Sequence, residues 1–71
     1  MRIPSGLEVV KVLTKYYNWK IHGRKGSHIT LKKEVEINLL TVPFHKQLKQ
    51  GTFLAILRKA KIEKEDFLNK L

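Results

Sequence analysis

The sequence predicts an α+β fold of order αβββα: a three-stranded antiparallel sheet with helices packed on one face and a short C-terminal helix. Three observations lead there. An apolar stripe with helical spacing opens the chain. Two alternating stretches broken by a glycine follow it, as in a hairpin. A second helical stripe begins near Gly51. Elements in that order bury their apolar faces as a two-layer domain, here expected to span residues 1–71 as a single unit.

Taken in order, the first helix starts at a capping box. Ser5 and Glu8 stand in S-x-x-E spacing, so each side chain can satisfy the other's backbone N–H. Leu7, Val10, Leu13 and Tyr17 form its apolar stripe, and Asn18 is a plausible stop. In the next segment Trp19 and Ile21 share one side of a strand, with Lys20, His22 and Arg24 on the other. Lys25-Gly26 reads as a tight turn, because glycine takes positive φ freely. The return strand puts Ile29 and Leu31 toward the core and His28, Thr30 and Lys32 outward. A third strand is expected over Val35 to Val42, bulged or covered on both faces because Ile37 and Leu39 oppose Leu40 and Val42. Pro43 ends it, having no N–H to donate to a ladder. Thr52 is the expected N-cap of the second helix, whose buried stripe is Phe53, Ile56, Leu57 and Ala60. A last short helix carries Phe67, Leu68 and Leu71, with Glu63, Glu65 and Asp66 near its N-terminus, where the dipole favours negative charge.

Composition narrows the function. The 71 residues leave room for one core. There is no cysteine, which excludes disulfides and thiolate metal sites. No apolar run has the length of a bilayer span, and Met1 to Ser5 lacks the apolar core of a secretory signal, so a cytoplasmic protein with no membrane partner is expected. Fifteen Lys and Arg stand against six Asp and Glu, a net charge of +9, and that excess favours a polyanionic partner.

The acidic residues avoid one stretch. None falls between Lys20 and Lys33, where Lys20, Arg24, Lys25, Lys32 and Lys33 surround His22 and His28. Two-metal nuclease chemistry needs clustered carboxylates, and no metal-ligand spacing or nucleotide-binding glycine loop occurs, so neither metal nor cofactor is expected. A metal-free route fits better. Histidine, whose ordinary pKa is about 6.5, takes the proton from an RNA 2′-hydroxyl; that oxygen attacks the adjacent phosphate, and lysine or arginine stabilises the growing charge. A lone outward histidine is more often a plain surface residue, and His22 and His45 are read that way. His22 and Lys32 are candidates for the general acid. Tyr16, Tyr17 and Trp19 are read as core rather than as base-stacking platforms.

What lifts His28 above a surface residue is its surroundings. Lys25-Gly26-Ser27-His28 is similar to the KGSH signature of HicA-type toxins, the YcfA-like mRNA interferases. Thr41-Val42-Pro43-Phe44-His45 resembles that family's strand end, and Gly51-Thr52-Phe53-Leu54 through Ile56-Leu57 resembles its helix start, followed by Glu65-Asp66-Phe67. The resemblance runs from Ser5 to Phe67. It implies a double-stranded-RNA-binding-domain-like fold and an endoribonuclease that cuts mRNA and halts growth. It also implies neutralisation by a HicB-type antitoxin, expected to be acidic and to cover the basic face and His28. The catalytic histidine of the family falls on His28, with Gly26 and Ser27 shaping the turn that presents it. Lys20, Arg24, Lys25, Gly26, Ser27, Lys32 and Lys33 form the expected RNA-contacting set. Two other readings fit the charge alone: an RNA-binding module that does not cut, and a docking partner for an acidic protein.

Overall fold

The computed structural model describes residues 2–71. Its elements are α1 (Gly6–Tyr16), β1 (Lys20–Lys25), β2 (His28–Lys32), β3 (Leu40–Pro43), α2 (Gln50–Ala60) and α3 (Lys64–Leu68). The strands form one antiparallel sheet in the order β1-β2-β3, so β1 and β3 are its edges. This is the predicted αβββα order with its short closing helix.

The capping box forms. The Ser5 hydroxyl accepts from the Glu8 N–H at 3.1 Å, and the Glu8 carboxylate accepts from the Ser5 N–H at 3.0 Å. Arg2 donates to the other carboxylate oxygen at 2.6 Å. These contacts hold the Glu8 carboxyl below the usual range, the Ser5 backbone bond first and Arg2 next. The helix ends at Tyr17, and Asn18 takes φ 63°, a conformation asparagine tolerates. Its buried face keeps Val10 and Leu13 of the expected stripe, with Tyr17 packed half-buried against the core. Val9, Val10, Val12 and Leu13 are buried, whereas Leu7 is 45 % exposed. Val9 and Val12, outside that stripe, widen the buried face, so the core takes more of the helix than the three- and four-residue steps alone mark.

One glycine sets how closely that helix approaches the sheet. A Cβ on Gly6 would lie 2.1 Å from the Pro43 carbonyl oxygen and 3.0 Å from the Phe44 Cα. The Gly6 N–H donates to the His45 carbonyl at 2.9 Å, and the Leu48 N–H donates to Pro4 at 3.1 Å. The start of α1 is therefore fastened to the chain leaving β3.

Three expectations about the strands need correction. β1 bulges between Ile21 and Gly23, so His22 is an extra residue without a partner in the register. Ile21 keeps the core-side register opposite Leu31, though on this edge strand it is 60 % exposed, while Trp19 is buried as expected. The hairpin turn is Gly26-Ser27, one residue later than read, because Lys25 still pairs with His28. Only Gly26 has positive φ, 59°, the pattern of a II′ turn with glycine at its first central position. β3 begins only at Leu40, opposite Leu31, near the end of β2. Val35, Ile37 and Leu39, read as strand, lie in the exposed connection before it.

The core joins α1 and α2 to one face of the sheet through Trp19, Ile29, Leu31, Leu40 and Val42. Phe53, Ile56, Leu57 and Ala60 are the buried face of α2, as predicted. Its N-cap is Lys49 rather than Thr52, since the tie at Leu48 lets the helix begin three residues earlier than read. Phe67 seats α3 against Phe53, edge to face at 5.4 Å, and Tyr17 stacks on Phe67 at 6.5 Å. Tyr17 also donates to Asp66, which takes a second bond from Lys70 at 3.0 Å. Those two donors hold the Asp66 carboxyl low. Tyr16, read as core, is exposed instead, and Leu71, placed on the last helix, lies exposed beyond its end.

Candidate nucleic-acid interface

Because paired residues of antiparallel strands point to the same side, the register assigns each predicted residue to a face. Ile29 and Leu31 point into the core, so His28, Thr30 and Lys32 point to the face without helices. His28 is exposed there, flanked in register by Lys25 on β1 and Pro43 on β3. The middle row is Gly23, Thr30 and Thr41, and the far row pairs Lys20 with Lys32. Seven side chains and one glycine thus make a basic and polar open surface.

The predicted set splits into separate groups on this frame. Lys25, Gly26 and Ser27 stand with His28 at the turn end. In-register side chains begin about 5 Å apart at Cβ, so Lys25 and His28 can approach the same phosphate. In a solvated setting each positive charge about 4 Å from a phosphate contributes about 1 kcal/mol. The Ser27 carbonyl accepts from the Phe44 N–H, which ties the turn to the chain after β3. Lys20 and Lys32 lie at the other end. Lys32 lies four residue steps beyond His28, about 13 Å along the strand.

Arg24 departs from the expected face. The bulge shifts the alternation after Ile21, so Arg24 pairs with Ile29 and takes the helix side of the sheet, while Lys25 takes the open side. Its guanidinium lies over the Phe44 ring, 5.2 Å from the centroid, and donates to the Gly26 carbonyl at 3.3 Å. It braces the turn from behind. Lys33 also leaves the open face: its ammonium stands 5.8 Å from the Trp19 ring centroid. His22 lines a groove of 580 Å³ together with Lys20, Lys32 and Glu34, at the end of the sheet away from His28. The two candidates for a general acid, His22 and Lys32, are therefore both remote from it.

Thr30 and Thr41 were not singled out from sequence as site residues. They occupy the centre of the open face and offer hydroxyls between the two basic ends. Alternation from Ile29 and from Val42 carried that signal. Among the described residues no side chain hydrogen-bonds the His28 ring, and no group of three or more His, Cys, Asp or Glu stands close enough to hold a metal ion. No helix among them is long and apolar enough to cross a membrane.

Comparison with protein families agrees with the motif reading. The family described as the HicA toxin of bacterial toxin–antitoxin systems matches residues 6–62, a span that includes the whole sheet, the turn and α2. No curated protein matches the chain at a significant level.

Proposed function

Since the chain belongs to the HicA toxin family of toxin–antitoxin systems, we propose that residues 1–71 act as one toxin domain: an endoribonuclease that cuts mRNA in the cytoplasm through His28. The observation that carries this reading is the exposed imidazole in register with Lys25, beside a glycine turn on an open basic face. RNA lies across β2, and His28 takes the proton of a 2′-hydroxyl. The O2′–phosphorus bond forms as the bond to the 5′-oxygen breaks, leaving a 2′,3′-cyclic phosphate and a 5′-hydroxyl. Lys25 stabilises the charge that grows on the phosphoryl oxygens, and water reaching the open face returns a proton to the leaving oxygen. DNA lacks the nucleophile and is spared. The antitoxin is a HicB-type protein with an acidic contact surface that covers Lys25 and His28, since complementary potential speeds the encounter.

The test is RNA degradation by purified protein in the presence of a chelator. General-base catalysis contributes about 10²–10⁴-fold, so His28→Ala loses activity by that factor while its circular dichroism spectrum is unchanged. Cleavage that needs an added divalent ion, or that survives His28→Ala, rules the mechanism out. A second reading, RNA binding without cleavage, is favoured by the lack of any acceptor that orients the imidazole among the described residues. It requires wild-type protein to bind RNA and leave it intact.

A further inference from the structure

We propose that Lys20 and Lys32 form a second phosphate subsite, which grips the substrate strand at a phosphate other than the one that is cut. The inference rests on the ribonuclease reading for the identity of the strand, but on separate residues. The two lysines are directly opposed across β1 and β2 on the open face. Like charges in that position repel and weaken a sheet. Neither belongs to any ion pair among the described residues, whose salt bridges are Arg2–Glu8, Lys61–Glu36 and Lys70–Asp66. The fold gains nothing from the pairing, whereas an anion between the two ammonium groups turns the repulsion into attraction.

The surroundings fit a strand better than a compact ligand. The pair borders the groove that His22 also lines, and Thr30 and Thr41 bridge from there to His28 along the same face. About 13 Å between His28 and Lys32 is too far for both to act on one phosphate and is continuous with a chain of them. Glu34 lies in the same groove and opposes an anion, so its removal is expected to tighten binding. The subsite thus sets a minimum substrate length.

Two measurements test this. In the first, wild type and Lys20→Gln/Lys32→Gln are compared on a dinucleoside monophosphate, which carries one phosphate, and on a hexanucleotide. The double variant is expected to cleave the short substrate as wild type does and to lose roughly tenfold or more in kcat/KM on the long one at low salt. Equal losses on both, or no loss on the hexanucleotide, overturn the subsite while leaving the ribonuclease reading in place. In the second, binding of a non-cleavable 2′-deoxy hexanucleotide is followed against salt. The slope of log K on log salt is expected to fall by about 0.7 in the double variant and affinity to rise in Glu34→Gln. If wild type cleaves nothing yet shows this dependence, the subsite stands and the enzymatic reading falls. If wild type does not bind the oligonucleotide, or its slope is unchanged in the variant, the subsite is wrong.

Discussion

Gly6→Ala separates two opposing effects. Intrinsic helix propensity favours alanine over glycine by at most about 1 kcal/mol. The structure opposes it, since the new Cβ would stand 2.1 Å from the Pro43 carbonyl oxygen, 3.0 Å from the Phe44 Cα and 3.1 Å from the Pro43 carbonyl carbon. All three are backbone atoms, and none can swing aside as a flexible side chain would. Overpacking of this kind costs roughly 1–3 kcal/mol, and a backbone obstacle puts the substitution at the upper end. The net is a loss of about 2 kcal/mol. At about 2.1 cal/mol/K of unfolding entropy per residue, a chain of 71 residues then loses about 13 °C in Tm. Thermal unfolding followed by circular dichroism measures it. Because Pro43 is the in-register neighbour of His28, the proposed ribonuclease activity is expected to fall as well, even where the variant is folded. A Tm equal to or above wild type would show that propensity wins and that the approach of α1 to β3 is looser than described.

Two further outcomes follow from the geometry. Gly26→Ala forces a residue with a Cβ into φ 59°, at about 1–2 kcal/mol and hence roughly 7–13 °C in Tm, whereas Ser27→Ala, at the second central position where φ is not positive, should lose much less; equal losses would refute the turn assignment. Acid should destabilise the protein partly through Glu8 and Asp66, both held below the usual carboxylate range, by the Ser5 backbone bond and by the Tyr17 hydroxyl respectively. A lowered folded-state pKa gives stability that is full above the unfolded value of about 4 and is lost as the pH falls through the lower one. Tm measured from neutral to acid pH should therefore decline in that window, less steeply in Glu8→Gln, and a parallel decline in the variant would remove Glu8 from the account.

The helices were legible because their signals are local. Ser5 and Glu8 announce a cap within four residues, and Phe53, Ile56, Leu57 and Ala60 leave only one face for α2 to bury. His28 was legible too, since alternation from Ile29 and Leu31 fixes its side. What alternation cannot reveal is an inserted residue. The bulge at His22 moves Arg24 and Lys25 to faces opposite those that a regular strand would give them. The third strand was overread for a related reason. Val35, Ile37 and Leu39 have strand-like side chains, but β2 stops at Lys32 and offers them nothing to pair with. Partner availability is a property of the sheet, not of the segment. Leu48 and Gly6 belong to the same class: their roles come from contacts with Pro4 and Pro43, which no local pattern encodes.

The edge position of β1 reaches beyond the face that RNA would occupy. Its outer row of amides and carbonyls is unpaired within the sheet and is a template on which another copy could grow toward a fibril. Four of its six residues, Lys20, His22, Arg24 and Lys25, are basic, and the kink at the extra residue spoils a straight docking line. Two such edges meeting would set cation against cation. That protection is electrostatic and so depends on the medium: near 1 M salt, where charges are screened within about 3 Å, concentrated protein is left with the kink alone to keep its copies apart.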